Sequence, residues 1–339
     1  MRPRAIALLD YVFLMRPIIL VPGWVFLLLG YTSGRTWAGT PAVPWYPSAE
    51  LVASLAVVTA TIGGVYVLNQ ICDRETDRLN RKLYLISESE VSLRAATVEL
   101  VLLNTAALVL AVLAFPPRYT ALVVLSVVLG VLYSVRPVRL KGRAGWDIVA
   151  NGVGFGVVAF ALGWATGAPL HPALFGRALP YVLAVGAIHT NVTVLDLEGD
   201  RAGGDRTIAV ALGVRRTLVL GLALTGGALL AALVVHETLA AIWAIGSILV
   251  FAWATLPGRE GHTAAANRLS GRAFVVLEGL RFPYFLVWLA VVYYATKWYY
   301  RTRFGIDYPS LEDERGQRRP APASASTSGG GVDAARVRE

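Results

Sequence analysis

Two acidic clusters each follow a long apolar stretch of this 339-residue chain. The first reads Asn69-x-x-x-Asp73-x-x-x-Asp77, and the second reads Asp196-x-x-x-Asp200. Side chains four residues apart lie on one face of a helix, so each cluster presents a row of oxygen atoms. Mg²⁺ binds few carboxylates and completes its shell with water and phosphate oxygens. The four aspartates are therefore predicted to be the metal-binding and catalytic residues of a site for Mg²⁺ and a polyphosphate.

Basic side chains accompany both clusters: Arg74 lies within the first and Lys82 after it, and Arg201 and Arg206 follow the second. Such side chains bind phosphate oxygens through charge-assisted hydrogen bonds, and we expect these four to contact the substrate. One aspartate pair at a helix end is more often an interfacial charge that pairs with a neighbouring arginine. Two clusters in equivalent positions, the first led by Asn69 in the same phase, favour a binding site.

The composition indicates a membrane protein. Apolar residues make up 56% of the chain, charged residues make up 16%, and the mean hydropathy is +0.58, whereas soluble domains contain roughly 25% charged residues. Lys and Arg collect in the cytoplasmic loops of membrane proteins, so the net charge of +9 does not indicate a nucleic-acid partner. Cys72 is the single cysteine, which excludes an intramolecular disulfide.

The apolar stretches predict an all-α, polytopic membrane protein, because a spanning helix needs about 20 mostly apolar residues. One membrane domain is predicted for residues 1–311. The Pro, Ala, Ser and Gly composition from residue 312 to 339 predicts a disordered tail. Nine segments are predicted to cross the bilayer, at about 12–33, 51–72, 96–115, 118–135, 146–167, 178–196, 215–235, 238–256 and 273–297.

The distribution of basic residues predicts the orientation of the chain. The loops after the second, fourth, sixth and eighth segments are rich in Lys and Arg, and the alternate loops are poor in them. This pattern places the N-terminus and both acidic clusters in the cytoplasm, in the plasma membrane if the source is a bacterium. Nine spans then place the C-terminus on the other side, where Lys297, Arg301 and Arg303 would be unexpected.

A third polar element lies between the two clusters. It reads Tyr133-Ser134-Val-Arg-Pro-Val-Arg-Leu-Lys141 and follows the fourth predicted span. The two hydroxyl groups are suited to donate hydrogen bonds to phosphate, and Lys141 adds positive charge. By itself the stretch is a common exit sequence for a membrane helix, so its significance depends on the two clusters.

The three elements together resemble the UbiA-type intramembrane prenyltransferases. That family carries N-x-x-x-D-x-x-x-D after helix two, Tyr-Ser-x-x-Pro-x-Arg-x-Lys after helix four and D-x-x-x-D after helix six, and the likeness covers roughly residues 8–297. It implies about nine helices around a central apolar chamber that opens near the cytoplasmic side, with Mg²⁺, a polyprenyl diphosphate and a small-molecule or lipid acceptor. The matching residues are Arg16, Pro17, Asn69, Asp73, Asp77, Tyr133, Ser134, Pro137, Arg139, Lys141, Asp196 and Asp200.

One loop departs from the family pattern. Many members continue the first motif with Asn-Arg-Pro-x-Arg-Pro, whereas residues 80–85 here read Asn-Arg-Lys-Leu-Tyr-Leu. Two enzyme hypotheses therefore stay open: prenyl transfer to an acceptor, and a membrane terpene cyclase that needs no second substrate. A transporter with acidic ion sites is a third possibility, but its sites would lie near the bilayer midplane rather than at helix ends.

Overall fold

The computed structural model describes residues 4–43, 45–79 and 84–309, and the secondary-structure elements in these ranges are helices. Lys82 and the predicted tail 312–339 lie outside the described residues. The helices are α1 Arg4–Leu14, α2 Pro17–Trp37, α3 Ala49–Leu79, α4 Tyr84–Ser87, α5 Leu93–Ala114, α6 Pro117–Ser134, α7 Trp146–Asn151, α8 Phe160–Gly167, α9 Ala173–Leu195, α10 Leu197–Gly203, α11 Ile208–Leu212, α12 Val214–Val234, α13 Thr238–Ala254, α14 Thr263–Gly279 and α15 Pro283–Phe304.

The helices confirm the predicted all-α membrane fold. Within the described residues, seven stretches are long and apolar enough to cross a bilayer: α2, Ala49–Glu75 of α3, α5, α6, Trp146–Gly167, α9 and α12. They coincide with the first seven predicted spans. The eighth predicted span corresponds to α13, which is apolar but shorter. The predicted number of nine is not confirmed.

The ninth predicted span, 273–297, is wrong as a single helix. Helix α14 ends at Gly279 and α15 begins at Pro283, so a turn interrupts the segment. Proline favours the first position of a helix and disfavours a helical conformation in the residue before it, which explains the restart. Glu278 and Arg281 form an ion pair of 3.0 Å across this turn.

The turn returns the chain to the end of the bundle that carries α1 and the first acidic cluster. Arg303 in the last turn of α15 donates to Asp10 of α1 at 2.9 Å and to Glu90 at 2.7 Å. Tyr299 stacks on Phe13 with ring centroids 3.8 Å apart. The prediction that the C-terminal end lies across the membrane from the acidic clusters is therefore wrong. The basic residues near the end of α15 therefore lie at the same end of the bundle as the acidic clusters, where basic residues are expected.

Two glycines hold α2 and α8 in close contact at the centre of the bundle. A Cβ atom at Gly30 would lie 1.8 Å from the carbonyl oxygen of Phe160, and one at Gly163 would lie 1.8 Å from that of Leu27. Lipid tails are as apolar as the side chains of a membrane helix, so such close packing, rather than transfer from water, stabilises the pair. The contact fixes the position of α8. Because α7 belongs to the same membrane span, the contact also restricts the position of α7.

A π-helical segment, Gly152–Ala159, joins α7 to α8 within the span Trp146–Gly167. A π turn contains more residues than an α turn and therefore shifts the faces that flanking side chains occupy. Before the segment, Asn151 of α7 reaches Tyr133 at the end of α6. After it, Gly163 of α8 packs on α2. The segment thus lets one membrane span place Asn151 at the polar end of the bundle and Gly163 in the apolar core.

Candidate active site

A cavity of about 460 Å³ lies at the end of the bundle where α3 and α9 finish, and we call this end the site end. Its walls come from α3, α6, the turn after α6, α7, α9, α10 and the loop before α11. Both acidic clusters reach it, as the sequence predicts. The lining residues are Asn69, Asp73, Asp77, Tyr133, Arg139, Lys141, Asp147, His189, Val192, Thr193, Leu195, Asp196, Glu198, Gly199, Asp200, Gly203, Asp205 and Thr207.

The first cluster is held by the basic residues that follow α6. Arg139 donates to Oδ1 of Asp73 at 3.1 Å, and Lys141 contacts Oδ2 of the same carboxylate. Lys141 also donates to Oδ1 of Asn69, at 3.2 Å. Burial lowers the pKa of Lys141, and the Asp73 carboxylate opposes that shift. Asn69 and Asp73, on one face of α3, therefore contact Lys141 of the third polar element, as expected for oxygen acceptors and an ammonium group.

Arg139 connects the first cluster to the loop of the second. Its Nε and Nη2 atoms donate to the two carboxylate oxygens of Asp205 at 3.0 and 2.9 Å. This bidentate contact raises the pKa of Arg139, which keeps the guanidinium charged. From the sequence alone, Arg139 has no predicted site role beyond its match to the family motif. Its partner Asp205 lies 66 residues away in the chain, so spacing did not reveal the pair.

The second cluster lies where α9 gives way to α10. The amide of Asp200 donates to the carbonyl of Asp196 at 2.8 Å, so the helical spacing of the two aspartates persists through the junction. Thr207 donates its hydroxyl hydrogen to Asp200 at 2.9 Å. The amide of Arg206 donates to the carbonyl of Gly142 at 2.8 Å, which ties this loop to the turn after α6.

Gly142 makes that close approach possible. A Cβ atom at this position would lie 2.4 Å from Oδ1 of Asp205, which is the oxygen that Arg139 holds. A side chain here would therefore separate the two polar loops. Lys141 thus supplies a cation to the first cluster. Gly142, the next residue, leaves the space that the loop of the second cluster occupies.

The charges that line the cavity are unbalanced. Among the described residues, seven carboxylates face two basic side chains, Arg139 and Lys141. No three His, Cys, Asp or Glu side chains in the described ranges lie close enough to hold a metal ion by themselves. Oxygen ligands spread over two walls suit Mg²⁺, which keeps several waters and shares phosphate oxygens with its ligand. The carboxylates are Asp73, Asp77, Asp147, Asp196, Glu198, Asp200 and Asp205.

The structure brings only part of the predicted set to the cavity wall. Asn69, the four aspartates, Tyr133 and Lys141 line it. Arg74 instead donates to Ser89 at 3.3 Å. Ser134 is buried, Arg16 is half-buried in a left-handed backbone conformation beside α2, and Arg201 and Arg206 are exposed. Direct phosphate contacts from these five residues stay predictions, as does the role of Lys82.

A second polar group, from α6, α7 and α9, was not foreseen. Asn151 donates to the Tyr133 hydroxyl at 3.2 Å and lies 3.3 Å from Nε2 of His189. Asp147, one turn before Asn151, is buried and accepts the amide hydrogen of Ile208 at 3.3 Å. A lone acid at the start of a predicted span carries no spacing signal. His189 is a lone histidine within an apolar span and carries no spacing signal either.

Comparisons with known proteins agree with this arrangement. The model of the UbiA prenyltransferase family matches residues 19–277. The chain is 31% identical over 248 residues to the bacteriochlorophyll synthase 34 kDa chain of Chloroflexus aurantiacus, covering 67% of this chain and 76% of that protein. It is 30% identical over 188 residues to probable homogentisate phytyltransferase 2, chloroplastic, of Oryza sativa subsp. japonica, covering 53% of this chain and 49% of that protein. The chain therefore spans about half the length of the rice relative.

Solved structures share the fold. A UbiA homolog from Archaeoglobus fulgidus bound to DMAPP and Mg²⁺ superposes with a TM-score of 0.61 at 18% identity, covering 81% of this chain and 99% of that chain. The same homolog bound to GPP and Mg²⁺ gives a TM-score of 0.62. The family model covers well over half of the sequence, from α2 to α14. The chain belongs to the UbiA prenyltransferase family.

Proposed function

We propose that this chain catalyses the Mg²⁺-dependent transfer of a prenyl group from a prenyl diphosphate to a small-molecule or lipid acceptor within the membrane. The observation that carries the proposal is the convergence of two acidic clusters, from distant parts of the chain, on one cavity with excess negative charge. Carboxylate oxygens that gather on one cavity wall near a membrane interior are suited to bind a divalent cation. A diphosphate bridged by divalent cations meets that requirement.

Each group on the wall then has a distinct task. Asp73 and Asp77 would hold Mg²⁺ on one side of the diphosphate, and Asp196 and Asp200 would hold it on the other. When bound, the ions neutralise the charge that develops on the departing diphosphate. Lys141 is positioned to reach the outer phosphate oxygens, because its contacts with α3 keep its ammonium group in the cavity.

The relatives support both parts of the proposal. Proteins similar to this chain are named as homogentisate phytyltransferase, bacteriochlorophyll synthase and digeranylgeranylglyceryl phosphate synthase. The solved homolog binds DMAPP or GPP together with Mg²⁺. These names span aromatic and lipid acceptors, so the family relationship leaves the acceptor open. Prenyl chain length and oligomeric state are likewise open.

A terpene cyclase of the same fold is the competing function. A cyclase must keep polar groups and water away from its carbocation. The cavity here carries Asp147 and His189 in addition to the two acidic clusters and the basic side chains. These extra polar groups favour the admission of a second substrate, and thus prenyl transfer.

The test is to incubate the purified protein with Mg²⁺ and geranyl, farnesyl or geranylgeranyl diphosphate, with and without acceptors. Diphosphate release and lipid products are measured separately. We expect diphosphate release to depend strongly on the acceptor. Rapid release with a cyclic hydrocarbon or alcohol as product, and no acceptor present, would establish the cyclase instead.

The proposed orientation, with the site end in the cytoplasm, has a direct test. Cys72 is exposed at the site end and is the single cysteine of the chain. A membrane-impermeant maleimide should label it in inverted vesicles and not in intact cells. A Thr40→Cys variant in a Cys72→Ser background should show the opposite pattern, because residue 40 follows the other end of α2. Labelling of Cys72 in intact cells would reverse the proposed topology.

A further inference from the structure

Asp147 is a buried carboxylate on the cavity wall that the metal and diphosphate do not account for. It is 1% exposed and lies in the first turn of α7. One oxygen, Oδ2, accepts the Ile208 amide hydrogen at the start of α11. The other, Oδ1, is buried and has no hydrogen-bond partner in the structure. A buried carboxylate oxygen without a donor is costly, so its position invites a donor from a ligand.

The surroundings of Asp147 define which donor fits. The two basic side chains on the cavity wall, Arg139 and Lys141, already contact Asp73, and Arg139 also holds Asp205. Among the described lining residues, neither Arg139 nor Lys141 is therefore available to bind an acidic ligand beside Asp147. A second carboxylate placed here would meet like charge, whereas a hydroxyl group would supply the missing hydrogen bond.

The neighbouring polar side chains form a wall that suits a neutral polar molecule. Asn151 holds the Tyr133 hydroxyl at 3.2 Å and lies 3.3 Å from the His189 imidazole. Asn151 and Tyr133 carry no charge, and the group occupies the α6, α7 and α9 side of the cavity. Tyr133 therefore joins the diphosphate side of the cavity to the Asp147 side.

We propose that Asp147 binds the hydroxyl group of the acceptor and removes its proton during transfer, so that the acceptor is an alcohol or a phenol rather than a carboxylic acid. This inference rests on the proposed prenyl transfer. The O–H bond breaks and its proton passes to Asp147. The released electron pair, on the oxygen or on the conjugated ring of a phenol, forms the bond to the allylic carbon. The C–O bond to the diphosphate breaks, and that electron pair leaves with the diphosphate.

The test compares the wild type with Asp147→Asn. Asparagine retains an oxygen that can accept from Ile208, so the start of α11 keeps its hydrogen bond, but an amide cannot accept the proton. Glu237→Gln is the matched control, because Glu237 is a buried carboxylate near the opposite end of α9. The full-length protein is assayed with geranylgeranyl diphosphate and Mg²⁺. The acceptors are glycerol-lipid alcohols, phenols of increasing acidity and aromatic carboxylic acids.

The effect of Asp147→Asn should follow the acidity of the acceptor. We expect kcat/KM to fall about 100-fold or more for alcohols and ordinary phenols, as loss of a general base would cause. The loss should shrink for a nitrophenol that is already ionised. Binding of geranylgeranyl diphosphate should stay within about twofold of wild type, since Asp147 lies outside the predicted metal ligands. Glu237→Gln should leave kcat/KM unchanged for every acceptor.

Two kinds of result would overturn this inference while leaving prenyl transfer intact. One is a wild type that prenylates carboxylic acids in preference to hydroxyl compounds. The other is an Asp147→Asn loss that is absent, or equal for all acceptors, which would assign Asp147 a structural role at α11. Turnover of no acceptor, or diphosphate release with a cyclic product alone, would overturn the proposed function and this inference together.

Discussion

The two ends of the helical bundle both bury charged groups beside a cavity, yet their charge balance differs. The far end, where α9 begins, has a cavity of about 390 Å³ beside Glu237 and Arg281. There Arg281 lies 2.8 Å from Glu237 and 3.0 Å from Glu278, and Arg177 lies 3.8 Å from Glu237. Two carboxylates thus meet two guanidinium groups. The site end has a cavity of about 460 Å³, and the part of its lining that the structure describes contains seven carboxylates and two basic side chains, Arg139 and Lys141.

The difference separates a structural charge group from a ligand site. The far end neutralises itself with its own side chains, so its charges hold the turn between α14 and α15 against the start of α9. Among the described residues that line the site end, carboxylates outnumber basic side chains, and their oxygen atoms are suited to bind divalent cations. Cavity volume alone does not distinguish the two ends. The ratio of carboxylates to basic side chains does, because an ion pair engages its own oxygen atoms, whereas a wall rich in carboxylates can bind cations.

The largest effect is expected from removing a carboxylate of either acidic cluster. Asp73→Asn and Asp196→Asn should each lower turnover at least about 100-fold, because each cluster supplies only part of a metal shell. EDTA should abolish turnover, and added Mg²⁺ should restore it. The readout is diphosphate release by purified protein, with Glu237→Gln as the control that keeps its activity. Near-normal turnover in either aspartate variant would refute the two-cluster site.

The far end should respond in stability rather than in activity. Arg281→Ala leaves Glu237 and the deeply buried Glu278 without their shared cation, so the free energy of unfolding should fall by about 3–5 kcal/mol. Denaturation in detergent measures the change. Arg177→Ala, which removes a longer and partly exposed contact, should cost less than about 1 kcal/mol. Lost turnover in Arg281→Ala at unchanged stability would make the far end a functional site.

A smaller effect is expected where the two clusters are joined. Arg139→Lys keeps the positive charge but loses the bidentate contact with Asp205, and we expect kcat to fall about tenfold. Steady-state kinetics with saturating prenyl diphosphate measures it. Arg143→Ala is the control, because Arg143 is exposed and donates to the backbone carbonyl of Pro137. Equal losses in the two variants would show that the geometry at Asp205 is unimportant.

The smallest effect should come from deleting residues 312–339. Their Pro, Ser and Gly composition offers no apolar area to bury, so unfolding free energy should change by less than about 0.5 kcal/mol and kcat should stay the same. Arg303→Ala tests the adjacent helix, where three hydrogen bonds to Asp10 and Glu90 hold α15. That variant should be clearly less stable. A large loss on deletion would show that the tail packs against the site end.

Much of the fold could be read from local patterns. The spans over α2, α3, α5, α6, Trp146–Gly167, α9 and α12 follow from runs of apolar residues, because length and composition decide whether a helix can cross lipid. The ninth predicted span failed since apolar composition continues through the turn before Pro283. Hydropathy does not indicate where one helix ends and the next begins.

The candidate site was predictable where its residues repeat at helical spacing. Asn69, Asp73 and Asp77 share a face because the helix has 3.6 residues per turn, and the same holds for Asp196 and Asp200. Spacing gave no information about Arg139 and Asp205, which lie 66 residues apart and meet only when the two polar loops pack across Gly142. Asp147 carries no motif, and its significance depends on a missing hydrogen bond.

The amino-acid sequence by itself determined the helical membrane class, the family and the two rows of carboxylates, since these depend on composition and local periodicity. Tertiary structure decided the charge balance at each end, the return of α15 to the site end, and the placement of Asp147 on the cavity wall. The physical reason is that charge compensation is a sum over neighbours from distant segments. Which segments become neighbours is decided by close helix packing, as at Gly30 and Gly163, and not by the spacing of charges along the chain.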